Sequence, residues 1–477
     1  MRHNCGFCVA HTLHDAYNFI GSLQHRGREA TGIAAIGDRR IDVLKWNGTV
    51  NRVELEDLHK IFPFHPYHTY LAHVRYATRG RKDKILEEAH PHVIGGTVEN
   101  KGNHILITDC DMAIVHNGQV DARYLKGATS GLKTSCDTEA ILHFFKKNGE
   151  MEILKRIPGS YTMAIADKNR DDVVVLRDRT GLKPGVMGLK DGKYVAVSED
   201  IALRKNGGEP IESLEPGCAY YLKYNGSYSK KKVVEPKRAL CFFEFNYISN
   251  VDSILDRISV RALREALGEE LAREFKANDV DVVTYLPRCP EPAARSFAKS
   301  IGKPFLPVFY KLRGERAFQG STPDDRKNSI DQNLHLLPGI EKILKDKVIA
   351  VLDDSTVRGN NAKRERELLV SQAKVKKCYH LNYTPPIGII GKDGVARGCM
   401  FGVDMPPDDD FVTRKRNLSD LSLSNRTLEE ISQVMGMSVF YISVEGMLRA
   451  FEKVGLKGCD LCTFCIGGKH PFEGIKV

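Results

Sequence analysis

The 477-residue sequence predicts a chain of mixed class: an α+β half rich in strands, followed by an α/β half with a mostly parallel sheet. Three observations carry this reading. Up to about Val234, short apolar stretches are separated by Gly, Asn and Asp turns, which is the pattern of sheet strands. Beyond it, strand-like stretches alternate with helical ones, which is the pattern of a parallel sheet with crossover helices. The length is enough for two or three domains, each burying its own core.

In the first half the strand candidates are "HTYLAHVRYAT", "DMAIVHNG", "SYTMAIAD", "DDVVVLRD" and "KYVAVSED". The basic segment "KYNGSYSKKKVVEPKR" is the expected linker between the halves. A helix with Leu263, Leu267, Leu271 and Phe275 at four-residue spacing follows, with Ser253 as its expected N-cap. It leads into the strand "VDVVTYLP", and then "KPFLPVFY", "DKVIAVLDD" and "KVKKCYHLNY" continue the alternation. No internal repeat or low-complexity tract is present.

Hydrophobic content of 42% and charged content of 28% are those of a soluble globular protein, and no apolar run is long enough to span a membrane. The formal charge of +10 is scattered among acids, as in "RKDKILEEAH" and "NAKRERELL", so nucleic acid is not an expected partner and a phosphorylated small substrate is. No signal peptide is visible, so a cytoplasmic location is expected and the 12 cysteines are expected as reduced thiols, available for metal or catalysis.

The chain opens "MRHNCGFC". If the Asn4–Cys5 bond is cut, Cys5 gains a free α-amine, and an amine with a pKa of about 8 can take the thiol proton near neutrality. Such a nucleophile needs oxyanion donors, which Asn117 and Gly118 of "AIVHNGQV" offer. It also needs a substrate clamp: Arg75 of "AHVRYATRG" suits a carboxylate, and Asp137 of "TSCDTEA" suits an ammonium. Together these describe a pocket for an α-amino acid. Each block alone reads as a turn or a solvated charge, and Cys5 with Cys8 also forms a C-x-x-C that could serve redox or a metal.

In that order, "CGFC", "SLQHRGREATGI", "HVRYAT", "VHNGQV" and "SCDTEA" resemble the class II glutamine amidotransferase domain. The resemblance covers roughly the first 235 residues and implies an N-terminal-nucleophile hydrolase with an αββα sandwich, releasing ammonia from glutamine. It further implies Cys5 as nucleophile, Asn117 and Gly118 as oxyanion hole, Arg75 and Asp137 as glutamine clamps, and Arg26 and Gly27 lining the site. One departure is the long charged stretch "RGRKDKILEEAHPHVIGGTVEN", where the family often has a glycine-rich loop.

"KVIAVLDDSTVRGNNAKRERELL" reads as a buried strand, two carboxylates, a small polar loop and a helix, suited to a phosphate and a ribose. It lacks the Walker pattern, and a strand end with solvated acids is the plainer reading. The stretch resembles the phosphoribosyl-pyrophosphate (PRPP) loop of type I phosphoribosyltransferases. Joined to the first half, and with "FEFNYISNVDS", "SVRALREALG", "VVTYLP" and "SVEGML", it resembles the amidophosphoribosyltransferase family over almost the whole chain. The resemblance implies PRPP contacts from Asp353, Asp354, Ser355, Thr356, Val357, Arg358, Gly359, Asn360 and Asn361, with Mg²⁺ held through the substrate at Asp353 and Asp354. The chain departs from the family at Asn360 and Asn361, where threonines are usual, and at Pro287-Arg288-Cys289-Pro290, where Pro-Asp-Ser is usual. It departs again in "KNSIDQNL", where Asp331 and Asn333 stand at positions that are normally basic.

"GCDLCTFCIGG" sets Cys459, Cys462 and Cys465 three residues apart, with Cys241 and Cys399 elsewhere; thiolates so arranged suit zinc or an iron-sulfur cluster. The pattern of family members with a four-iron, four-sulfur cluster matches Cys241, Cys399, Cys462 and Cys465, leaving Cys459 spare.

The expected organisation is therefore a propeptide at residues 1–4, a glutaminase domain at 5–235, a phosphoribosyltransferase-like domain at 250–455 and a cysteine-rich tail at 456–477. The expected reaction converts glutamine and PRPP into glutamate, 5-phosphoribosylamine and pyrophosphate, the first step of purine synthesis, in a homo-oligomer. Two alternatives stand beside it: a glutaminase whose second domain has altered or lost PRPP chemistry, and an iron-sulfur redox sensor on the same scaffold.

Overall fold

A computed structural model describes residues 5–63, 65–76, 84–120, 122–125, 131–311, 334–391, 393–403, 405–416, 418 and 423–472. The expected propeptide and the positions Asp331 and Asn333 lie outside them.

The first half contains β1 (Gly6–Ala10), α1 (Leu13–Ser22), β2 (Ala30–Gly37), β3 (Arg40–Asn47), α2 (Leu55–Ile61), β4 (Tyr67–Arg75), β5 (His92–Asn100) and β6 (His104–Val120). It continues with α3 (Asp137–Asn148), α4 (Glu150–Arg156), β7 (Gly159–Asp167), β8 (Asp172–Arg177), β9 (Val186–Lys190), β10 (Lys193–Val197), α5 (Ile201–Lys205), β11 (Glu209–Ser213), β12 (Cys218–Lys223) and β13 (Tyr228–Lys232). Every pairing among these strands is antiparallel, and the order is β11-β9-β10-β1-β4-β2-β3-β6-β7-β8-β12-β13, with β5 added on β6.

Strand periodicity explains how this sheet becomes two layers. Successive side chains point to opposite faces, so Phe7 and Val9 enter one core while Cys8 and Ala10 enter another. Phe7, Val9, Ile36 and Val43 meet Ala113, Val115, Ala164 and Val175 between the two layers. Cys8, Ile33, Trp46 and Val74 pack outward on α1 through Phe19 and Ile20, and on α2 and α5 through Leu58 and Leu203. On the far side Ile114, Met163, Ile165 and Leu176 pack on α3 and α4 through Ile141, Phe145 and Leu154. The result is the αββα sandwich that the resemblance implies.

The expected linker is corrected. Its Asn225-Gly226 pair is a hairpin signal, and Tyr228–Lys232 pairs with Cys218–Lys223, so the segment completes the sandwich and the crossing falls on Val233–Ala239. Leu240–Cys241 (β14) then pairs in parallel with Leu461–Cys462 near the other end of the chain.

In the second half, Val282–Tyr285, Val348–Asp353, Lys377–Asn382 and Ser438–Tyr441 form a parallel sheet in that order. The helix expected after Ser253 is α6 (Val260–Glu274), and its N-cap is Ser259, whose hydroxyl accepts from Ala262 N–H. Ser253 is instead spent on Glu199, and the residues between form a tight hairpin turning at Asp256 and Arg257, both with positive φ. "KPFLPVFY" was expected as a full strand. Only Phe305 bridges Val283, and Phe309–Lys311 leaves to pair with Leu334–Leu336. Among the described residues no helix is long and apolar enough to cross a membrane.

Candidate functional site

Cys5 precedes β1 and is fully buried. Gly6 pairs with Val74, which sets Cys5 beside the Arg75 end of β4. Burial pushes its thiol from 9.0 up to about 11, against the opposing influence of the Tyr76 backbone, Arg75, Lys183 and Arg26. The thiol is therefore protonated near neutrality, and a separate base is required to make it a nucleophile.

Asn117 and Gly118 lie on β6 in the facing layer, opposite Thr162 and Tyr161 of β7. Lys183 joins the two layers: its carbonyl accepts Thr162 Oγ1 at 3.0 Å, while its ammonium acts on the Cys5 thiol. Neither Nδ2 nor Oδ1 of the buried Asn117 has a hydrogen-bond partner among the described residues. A buried amide left so costs a few kcal/mol unless a ligand engages it. Gly118 has φ +149, and a side chain there would come within 1.9 Å of Ser160 O, so only glycine brings this backbone N–H into place.

Asp137 opens α3, and its Oδ2 accepts Val120 N–H at 2.7 Å, tying the expected ammonium clamp to the end of the oxyanion strand. Arg75 ends β4, but its fork is engaged: Nη1 donates to Ile85 O at 2.9 Å and Nη2 to Glu88 Oε2 at 2.7 Å. Glu88 in turn accepts Ser135 Oγ at 2.9 Å. One carboxylate thus stands between the two expected clamps, in the charged stretch that departs from the family. Gly27 fits against β4 so closely that a side chain would meet Arg75 C at 2.5 Å.

Arg26 takes a role that its sequence position did not disclose. Fully buried, it donates from Nε to Cys5 O at 2.8 Å and forms ion pairs with Glu199 and Glu244. Burial alone would lower the guanidinium pKa; Glu244 and Glu199 overturn that and raise it. Glu199 also accepts from Ser253 Oγ at 2.6 Å and Asn250 N–H at 2.9 Å. Glu244 accepts Lys183 Nζ at 2.8 Å, and Lys183 also donates to Gly402 O. Glu88, Glu199, Glu244 and Lys183 were missed from sequence, since a buried acid far along the chain carries no local signature. Cys8 is no redox partner for Cys5: it faces α1, with its Sγ 3.6 Å from Ala16 O.

In the second half the strand Val348–Asp353 delivers Asp353, Asp354, Ser355, Thr356 and Val357, all buried, to its carboxyl end. Gly359 in the left-handed region starts the short helix Asn360–Arg366, so Asn360 and Asn361 open it; Asn361 Oδ1 is buried with no hydrogen-bond partner among the described residues. Burial raises the pKa of both Asp353 and Asp354, and their mutual repulsion raises that of Asp354 further. Thr356 Oγ1 donates to Asn382 Oδ1 at 2.7 Å and lies 2.8 Å from His380 Nε2, while His380 Nδ1 lies 2.7 Å from Glu365. Arg358 does not point freely at a phosphate; its Nη2 donates to Asp408 at 2.7 Å. Near the altered Pro287–Pro290 segment, Arg264 donates to Phe245 O and Ser249 O, both at 3.0 Å.

Cys241, Cys399, Cys462 and Cys465 are drawn into one buried cluster, whereas Cys459 is exposed. Cys241 stands directly opposite Cys462 in the parallel pair β14 makes. Burial, then Cys399, Cys462 and Cys241, push the Cys465 thiol well up, which places the four sulfurs close enough to repel as thiolates. Thiolates gathered in this way suit zinc or an iron-sulfur cluster.

A glutamine amidotransferase domain family matches residues 96–242. An amidophosphoribosyltransferase of Archaeoglobus fulgidus is 30% identical over 472 residues, covering 96% of this chain and 94% of the relative. One from Bacillus subtilis is 29% identical, covering 96% and 91%. The solved glutamine PRPP amidotransferase of B. subtilis, complexed with ADP and GMP, superposes with a TM-score of 0.76 at 26% identity over 98% of this chain and 97% of that one. The chain belongs to the amidophosphoribosyltransferase family.

Proposed function

We propose that the protein is a glutamine-dependent amidophosphoribosyltransferase, with the glutaminase at residues 5–235, the transferase at 250–455 and the tail from 456. The similarity to the A. fulgidus relative carries this reading, because it runs over 472 residues and so spans both sites. That continuity favours it over a glutaminase alone or a redox sensor.

In this reading, removal of residues 1–4 frees the Cys5 amine, which takes the thiol proton. The sulfur attacks the glutamine carboxamide carbon, ammonia leaves, and water releases glutamate from the thioester. Asn117 Nδ2 and the Gly118 N–H stabilise the oxyanion; one such donor is worth roughly a hundred- to thousandfold in rate. Arg75 takes the substrate carboxylate once Glu88 yields, and Asp137 takes the ammonium. Arg26 holds the Cys5 carbonyl, and Gly27 leaves room for the chain to pass close to β4.

At the second site ammonia attacks C1 of PRPP and pyrophosphate departs. Asp353 and Asp354 accept the ribose hydroxyls, and the backbone and hydroxyls of Ser355 to Gly359, with the Asn360 and Asn361 amides, receive the phosphate. Asp353 and Asp354 would hold Mg²⁺ through the substrate, and the ion would supply positive charge to offset that of the departing pyrophosphate. Cys241, Cys399, Cys462 and Cys465 would hold a four-iron, four-sulfur cluster, which ties the interdomain segment to the tail.

Pyrophosphate release from PRPP tests the assignment. It is expected with glutamine or ammonium in the wild type and with ammonium alone in Cys5→Ala. Glutamate production without pyrophosphate under anaerobic conditions would remove the transferase reading.

A further inference from the structure

The glutaminase half contains a group of metal-type donors that neither site uses. His90 and His92 flank Pro91 at the start of β5, and Cys136 is the N-cap of α3. All three are buried, with exposures of 0%, 3% and 2%. One donor atom from each lies within 4.8 Å of the others, the only such set among the described residues. A tetrahedral ion at about 2.0–2.3 Å from nitrogen and sulfur needs donors about 3.3–3.8 Å apart, a closure within reach of small side-chain rotations.

The surroundings are those of a ligand shell. His92 Nε2 is buried without a hydrogen-bond partner among the described residues, while the same ring is fixed by a hydrogen bond to the Glu88 backbone. The His90 ring is oriented by Nε2, which lies 2.9 Å from Thr138 Oγ1. Metal-bound histidines are commonly oriented in this way through their second nitrogen. Lys45 and Arg75 act on the same space as cations, with Glu88 and Glu139 offsetting them, while burial pushes the Cys136 thiol up to about 12 and its Sγ donates to Asp137 Oδ1 at 3.7 Å, so an ion would have to displace that proton. Two imidazoles and one thiolate match the borderline-soft preference of zinc.

We propose that His90, His92 and Cys136 form a zinc site that pins the start of β5 to the first turn of α3. Asp137 follows Cys136 directly, so the ion would fix the carboxylate that this enzyme presents to its amino-acid substrate. The site is independent of the four-cysteine cluster and of the transferase assignment.

The full-length protein, prepared anaerobically and dialysed against micromolar zinc, is measured for zinc and iron, and the zinc edge is read by X-ray absorption. One zinc per chain with two nitrogen ligands and one sulfur is expected. Zinc content should fall at least tenfold in Cys136→Ser and in His92→Gln and stay unchanged in Cys459→Ser. No retained zinc, or an all-sulfur shell, overturns the proposal. So does a zinc content in folded Cys136→Ser or His92→Gln equal to wild type. The edge spectrum uses only wild-type protein and decides the matter if the variants fail to fold.

Discussion

Arg75 donates to Glu88 Oε2 at 2.7 Å, so the residue expected to grip the substrate carboxylate already holds a carboxylate of its own chain. Glutamine must displace or share that partner. Both side chains are buried, and a hydrogen bond to a charged group is worth about 1.5–3 kcal/mol, so Glu88→Gln is expected to lower the KM for glutamine roughly tenfold with little change in kcat. Steady-state glutaminase kinetics check it. A rise in KM would mean that Glu88 orients Arg75 rather than competing for it.

Arg26 links the Cys5 carbonyl to two buried acids that belong to later parts of the chain. Removing one member of such a group leaves uncompensated charges in the interior, at a cost of about 3–5 kcal/mol. Arg26→Met is therefore expected to lower thermal stability sharply and to abolish glutaminase activity. Arg26→Lys should recover part of the stability and little of the activity, since one ammonium cannot serve Cys5, Glu199 and Glu244 at once. Melting curves and glutamate release read the two effects separately.

The strands that carry Arg75, Asn117 and Asp353 were legible because each contains an apolar run whose alternation or continuity is written locally, whereas β1, which follows Cys5, was not among the expected strands. The αββα layering was implied only by the family resemblance; the structure gives its physical basis in the alternation that sends Phe7 to the core between the sheets and Cys8 to the core under α1. What escaped were charges whose meaning depends on distant partners. Glu199 closes "KYVAVSED" and reads as a solvated turn acid until Arg26, His25 and Ser253 surround it. Ser253 likewise looks like a cap in sequence, and its bond to Glu199 is what moves the true cap to Ser259. The Tyr228–Lys232 strand was obscured by its lysines, which mark an exposed edge rather than a linker.

Asp353 and Asp354 are adjacent, buried carboxylates with raised pKa values, so the ligand-free pair retains protons above the ordinary carboxylate range. In the proposed reading, binding of Mg²⁺ and PRPP at this pair favours the ionised forms and releases those protons. Affinity for PRPP is thus expected to rise with pH through the acidic range and to level off once both groups are ionised. Calorimetric titration in buffers of different ionisation enthalpy should register the released protons. Asp354→Asn should flatten the pH profile and cut ammonium-dependent pyrophosphate release about a hundredfold or more, as expected when a charge-assisted hydrogen bond and a metal-facing charge are both lost.

The Cys5 thiol, pushed up to about 11 by burial, gives two separable expectations. For activity, the thiol alone would be almost wholly protonated at neutral pH. Glutaminase kcat/KM should therefore rise with the ionisation of the liberated amine, near pH 8, rather than with that of the thiol; a profile still climbing through pH 10 would remove the amine as base. For stability, the unfolded thiol titrates near 9.0 and the folded one near 11, so between these values the folded state binds more protons and stability falls as pH rises. Two pKa units correspond to ~3 kcal/mol lost across that window. Cys5→Ala should remove that share of the alkaline loss, leaving a flatter denaturation midpoint between pH 9 and 11, and an unchanged slope would mean that the thiol is not as desolvated as its burial indicates.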